Sequence, residues 1–521
     1  MTRSVVTAAL LVTVLTNVNA QNVPAPVRQG SANPASPGEI DKLVFGRLKQ
    51  LGIQPANPCS DEVFVRRVYL DAIGTLPTAL EARQFLSSKN LNKRGMLIDQ
   101  LLEREEFADY WAMKWANLLR VKSEFPINLW PNAVVSYHRW VRNSIKENMP
   151  YDRFVREILT ASGSNMRRPQ VNFYRAVQSR DPQALAQAVA LTFMGARAET
   201  WPKERLSAMA TFFSRVAYKT TAEWKEEIVY FDLAKATGPL SAGFPDGTTV
   251  KLFPQQDPRA VFADWLTSPK NPWFARSIGN RIWYWLLGRG IVHEPDDIRP
   301  ENPASNPELL NLLEHELIAS GYDLKHLFRL ILKSRTYQLS SIPANENPQV
   351  EANFACYPVR RLEAEVSIDA INQITGSTEK YVSHIPEPFT YMPEEQRAIA
   401  LADASITSPF LELFGRSPRN TGLESEQGNL LPTAAQQLHL LNSSHIRGKL
   451  EQSAKLRAIL GRATAPGDAV NELYLTILSR LPTAEERAAV QAYHKTTQNP
   501  RSVGSDLAWA LINTAEFQFR H

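Results

Sequence analysis

The chain has 521 residues, of which 44% are hydrophobic and 21% charged, and its formal net charge is +5. That length exceeds one ordinary core and predicts two domains. The small net charge, with Lys and Arg interleaved among acids, excludes the basic stripe of a nucleic-acid surface, so no nucleic acid is expected as a partner.

Taken in chain order, the first segment has Arg3 as its only charge, then an apolar run at 5–15, then Val18-Asn19-Ala20. A basic start, a short hydrophobic centre and a small-x-small end predict a secretory signal peptide over residues 1–20. The run of about 11 apolar residues falls short of the roughly 20 that a bilayer span needs. The protein is therefore expected to be exported to the periplasm or cell surface, with no integral membrane span after cleavage. Residues 21–38 are rich in Pro, Ala, Asn, Ser and Gly without hydrophobic period and read as a flexible leader.

Helical periodicity dominates the rest of the chain. Leu97, Ile98, Leu101 and Leu102, then Trp111, Trp115, Leu118 and Leu119, return every three or four positions. Similar runs predict helices over 152–161, 182–194, 307–320, 324–334 and 361–374. Another helix, carrying Ile278, Ile282, Trp285 and Leu286, is expected to stop at Gly288 and Gly290. Strand signals are few, the best being 228–231 paired with 248–253 across a Pro245-Asp246-Gly247 turn. The expected fold is mainly α: two helical domains joined by a short β-hairpin or small sheet region.

One phrase is written twice. Residues 68–85 and 473–490 both end a helix, break it with Leu-Pro and restart at Thr, with Glu three places on. Thr78 with Glu81 and Thr483 with Glu486 are capping boxes, in which the hydroxyl accepts a backbone N–H and the carboxylate reaches back. A third Leu-Pro-Thr-Ala at 431–434 carries Gln436 in that place, and Ser305 with Glu308 repeats the spacing. Such residues spend their side chains on backbone, which argues for scaffold rather than catalysis.

These motifs and their neighbours carry a resemblance. The first half holds Ile40-Asp41-Lys42-Leu43-Val44, Arg66-Arg67-Val68-Tyr69-Leu70-Asp71, Tyr110-Trp111 and Asn148-Met149-Pro150-Tyr151. It resembles the cytochrome-associated domain of unknown function found in exported proteins of planctomycetes and related bacteria. The second half holds Ala263-Asp264-Trp265-Leu266, Asn280-Arg281-Ile282-Trp283, Arg360-Arg361-Leu362-Glu363-Ala364-Glu365 and Ala515-Glu516-Phe517. It is similar to the planctomycete-specific partner domain of unknown function that comes next in the same proteins. The resemblance implies helical domains at 39–235 and 259–521, with the β-hairpin in a linker at 236–258. It implies a compartment and no established reaction. Many relatives carry Cys-x-x-Cys-His for a c-type haem. Here 193–203 supplies neither the cysteines for thioether attachment nor the histidine ligand, so no cofactor is expected.

The candidate site residues rest on side-chain chemistry alone. Nine histidines are scattered, with His439 and His445 six apart, so no metal site is expected. The loop 293–301 gathers carboxylates without EF-hand alternation; Asp296 or Asp297 is expected to pair with Arg281, Arg289 or Arg299. Arg361, Glu365 and Asp369 concentrate charge on one helix, which reads as an ion-pair network more readily than as a catalytic acid. Trp111, Trp115 and Trp283 have core spacing, whereas Trp130, between Pro126 and Pro131, and Trp201, beside Pro202, are the tryptophans expected to be exposed. Trp130, Trp201, Arg281, Asp297, Arg361 and Glu365 are therefore the residues expected to contact a ligand or hold a structural network. No nucleophile elbow and no phosphate-binding loop occurs. Cys59 and Cys356 are compatible with either a disulfide or two buried thiols.

The leading expectation is an exported envelope protein with a binding or scaffolding role, its partner an extracellular glycan or another envelope protein. The alternative is a hydrolase acting on extracellular polysaccharide through paired carboxylates. A third reading is a residual electron-transfer accessory.

Overall fold

The computed structural model describes residues 38–421, 432–462, 466–497 and 502–521, and these form a mainly α-helical molecule with small sheets of two or three strands. The signal peptide and all of the leader but Gly38 lie outside the described residues, as does Leu431.

Helix starts obey the capping logic. Thr78 opens Ala79–Ser87 and Thr483 opens Ala484–Thr496, each as a complete capping box with Glu81 and Glu486. Thr433 does the same for Ala434–Asn442 with Gln436. In both echoed copies the carboxylate is also taken by an arginine, Arg104 for Glu81 and Arg480 for Glu486, each at 2.8 Å. Replacing Thr483 by Ala removes one acceptor and is expected to lower stability by about 1 kcal/mol, read from the denaturant midpoint. A cost near zero would separate that threonine from the helix start. The expected Ser305 cap is displaced by one residue. The Asn306 amide oxygen accepts from Leu309 N at the start of Pro307–Ala319, while the Ser305 hydroxyl donates to the Ile291 carbonyl. Both side chains are good caps, and the Ile291 carbonyl takes the serine.

Helix ends depend on glycine. Phe274–Leu287 stops at Gly288, whose φ of 70° is left-handed. After Asp61–Ile73 the same conformation falls on Gly74, where an added Cβ would lie 2.5 Å from the Tyr110 ring. The second copy manages with Ser479 at φ 61°.

The strands pair differently from the expected hairpin. Glu227–Phe231 lies antiparallel to Val216–Thr220 and to Gly163–Ser164, while Thr249–Leu252 turns back on Leu240–Gly243. Thr248 N donates to the Asp246 carboxylate, so the turn stands where its residues place it, with a different strand upstream. Short strands with weak alternation leave register and partner to tertiary packing.

One continuous hydrophobic core runs through both halves. Trp111 is its pivot: the indole N–H donates to the Ala72 carbonyl at 2.9 Å, and the ring lies 4.3 Å from Phe328 and 5.3 Å from Trp285. Cys59 and Cys356 are both buried and free.

A buried polar layer ties the halves together beside that core. Asp71, on the 61–73 helix, accepts from the Tyr337 and Tyr357 hydroxyls at 2.8 Å and from Arg360 at 3.1 Å, with Arg520 at 3.3 Å. Glu363 takes Lys114 at 2.7 Å and Arg520. Burial pushes the Glu363 carboxyl up, but Arg520 and Lys114 outweigh it and hold it well below the usual carboxylate range. Arg66 and Arg67 donate to main-chain carbonyls of Ile477, Phe517, His521, Tyr337 and Leu339, all at 2.8 Å. Asp71 of the first half thus meets Arg360 of the second half's Arg-Arg-Leu-Glu motif, while Arg66 and Arg67 hold that half's main chain.

Candidate functional site

Two clefts hold Trp130 and Trp201, and both side chains are half-buried in the cleft walls rather than fully exposed. The first cleft, about 700 Å³, is built from the loop after Glu105–Leu118, the turn joining Val216–Thr220 to Glu227–Phe231, and the 383–389 segment. Its loop is anchored from below: Ser123 N donates to Asp403, Glu124 N donates to Ser405 Oγ, and the Leu129 carbonyl accepts from Arg175. That anchoring holds Trp130 at φ 72°, ψ 145°, a backbone conformation that costs a side-chain-bearing residue about 1–3 kcal/mol.

Strain of this kind needs a compensating fit, and the indole has one. Trp130 packs edge-on to Trp224 at 4.7 Å and against Phe389 at 5.6 Å, with the Lys225 ammonium 4.9 Å over its ring. Its own Nε1–H is buried without an acceptor among the described residues. Trp224 remains 60% exposed and Phe125 79%. A carboxylate pair also stands here. Glu226 accepts from Ser164 Oγ at 2.5 Å and Thr221 Oγ1 at 2.8 Å, and these hydroxyls hold its carboxyl below the usual range. Glu227 gives one oxygen to Arg175 and the other to Arg180. Neither stands in an apolar surround of the kind that keeps a glycosidase acid protonated.

The second cleft, about 740 Å³, holds Trp201 and Asp297 together. The loop that carries Trp201 follows a five-residue π-turn, Ala190–Met194, ended by Gly195 at φ 58°. A Cβ there would meet the Pro295 carbonyl at 3.0 Å and Ile298 at 3.2 Å, and Ile298 N donates to the Gly195 carbonyl at 2.8 Å. Glycine thus lets the 195–202 loop lie directly on the 293–301 loop. Arg281 locks the joint from beneath, pairing with Asp296 and donating to the Thr192 carbonyl at 2.9 Å. Asp297 accepts from Arg299 at 3.0 Å on the rim. Both pairings are among those expected from the sequence.

Arg361 and Glu365 line neither cleft. Arg361 donates to Gln436 Oε1 at 2.6 Å and stacks 4.9 Å over Phe414, while Glu365 is buried and paired with Arg416 at 3.1 Å. A third groove, about 920 Å³, runs between the two echoed copies. Thr78 lines it, yet its hydroxyl donates to Glu81 and accepts from Glu81 N.

Several partners escape a reading of the sequence. Trp224 and Phe389 join Trp130 from segments more than ninety residues downstream, with no signal of their own. Arg205 stacks over Trp201 from the Lys203–Ala210 helix, whereas Trp201 lies ahead of that helix in extended backbone, so no helical spacing announces the pair. His439 and His445 share no helical face, yet they meet with Nε2 and Nδ1 3.3 Å apart, and His445 Nε2 lies 2.9 Å from Glu379. Their spacing bridges two helices, Ala434–Asn442 and Ser444–Glu451, so no single-helix rule finds it. Among the described residues no group of three or more His, Cys, Asp and Glu gathers as a metal site, and no helix is long and apolar enough to cross a membrane.

No curated protein and no solved structure matches the chain. Residues 39–216 match the family described as protein of unknown function (DUF1549), and residues 258–494 match that described as protein of unknown function (DUF1553). The order agrees with the two motif sets and with the helical architecture they imply. The chain thus carries a region matching DUF1549 followed by a region matching DUF1553.

Proposed function

We propose that this protein is exported and acts at the cell envelope as a binding protein, holding an extracellular glycan chain in the Trp130 cleft without cutting it. The observation that carries the reading is the aromatic cluster of Trp130, Trp224 and Phe389, with one indole face open beside hydrogen-bonding groups. The apolar C–H face of a sugar ring stacks on an open indole, and its hydroxyls need donors and acceptors at the edge. Asn128, Arg180 and Glu226 supply them. The committed carboxylates argue against hydrolysis, because neither is placed to deliver a proton to a leaving oxygen.

Calorimetric titration with neutral hexasaccharides tests this. Trp224→Ala is expected to weaken binding by about tenfold or more, near 1.4 kcal/mol, with the variant still folded at the titration temperature because the side chain is largely exposed. Equal binding by the variant, or none by the parent protein, would remove the reading. Release of reducing ends that disappears in Glu226→Gln would replace it with a hydrolase.

A further inference from the structure

We infer that the Trp201 cleft is a second ligand site, selective for the oxyanion of an acidic saccharide, with Arg205 as its anchor. Four arginines line the cleft: Arg197, Arg205, Arg276 and Arg299. Three of them are committed. Arg197 pairs with Glu294 at 3.1 Å, Arg276 with Glu314 at 2.8 Å and Arg299 with Asp297 at 3.0 Å. Arg205 makes no hydrogen bond or ion pair among the described residues, and its Nε–H is buried without an acceptor. Arg197 also keeps a buried Nε–H unsatisfied.

Arg205 is nonetheless held in place. Its guanidinium lies 4.2 Å over the Trp201 ring and 5.9 Å from that of Trp273. Stacking on an aromatic face satisfies the flat side of a guanidinium and leaves the N–H fork at its edge free for a bidentate oxyanion. Burial works against the cation, lowering its pKa, with only Asp246 raising it. A partly buried guanidinium with an empty fork is a poor structural element, since the same helix position filled by a neutral residue would avoid the desolvation cost. It is a good receptor for carboxylate or sulfate.

The walls suit a ring-bearing anion. Trp201 and Trp273 offer aromatic faces, and Pro202, Pro272, Pro300 and Pro303 give rigid edges. Glu301 lies exposed on the lining. It disfavours a polyanion of high charge density and fits a saccharide with spaced charges. This site shares no lining residue with the Trp130 cleft.

The test is calorimetry at low and moderate salt with four probes: a uronate oligosaccharide, a sulfated oligosaccharide and the neutral parent of each. Acidic probes of at least one kind are expected to bind, more weakly as salt rises. Arg205→Ala is expected to weaken that binding by about tenfold or more, with Arg205→Lys in between. Because Arg205 carries no side-chain hydrogen bond and contributes only its stacking, its variants should lose little stability and stay folded at the titration temperature, and Trp224→Ala should leave this binding unchanged. The arm that binds identifies carboxylate or sulfate as the anion. Failure of both acidic probes, equal binding of the neutral parents, or indifference to Arg205→Ala would overturn the inference.

Discussion

Asp71→Ala is expected to lower the stability of the folded chain by about 3–5 kcal/mol. The reason is what remains. Asp71 is fully buried and serves Tyr337, Tyr357, Arg360 and Arg520 together. Alanine leaves two guanidiniums and two phenol hydroxyls facing a void in low dielectric, and unsatisfied buried groups cost more than the original bonds contributed. Since three of the four partners come from beyond residue 350, the damage falls on the contact between halves. Urea unfolding followed by tryptophan fluorescence reads it, with a shift below about 1 kcal/mol contradicting the assignment. Tyr357→Phe, which removes one hydroxyl and little volume, should cost about 1 kcal/mol on the same axis.

Glu363→Gln is expected to cost about 3 kcal/mol at neutral pH, and the penalty should shrink in acid. Lys114 and Arg520 hold the folded carboxyl well below its ordinary value of 4.5, against the upward push of burial. A depressed folded pKa means that the unfolded chain binds the proton more tightly. The stabilisation is therefore complete above about pH 4.5 and is lost as pH falls toward the folded value. The amide cannot titrate, so the gap between parent and variant should close below about pH 4.5 and stay constant from about 5 to 8. A gap that grew on acidification would reverse the sign and exclude Glu363 as the anion of this layer. Salt should change it little, because the charges are buried.

How much is legible in the sequence depends on the range of the interaction. The capping boxes at Thr78 and Thr483 are readable because cap and partner are three residues apart and the hydrogen bonds are fixed by local geometry. The stop at Gly288 is readable because only glycine adopts the left-handed end without cost. Arg281 with Asp296 is within reach, since charges in a short loop beside a helix have few partners. The β-pairing departs from expectation because weak strands choose neighbours through the core they cover. The Trp130 cluster is half visible: proline neighbours mark the loop, while Trp224 and Phe389 are placed there by the folding of distant segments.

By itself the sequence determined the capping-box helix starts, the stop at Gly288, the mainly α class and the order of the two motif sets, because these rest on periodicity and on bonds spanning three or four residues. Tertiary structure alone decided which tryptophan faces stayed open, which arginine kept its fork unpaired and which carboxylates were neutralised. Those outcomes depend on desolvation and on partners brought from hundreds of residues away, and a linear pattern carries no record of either.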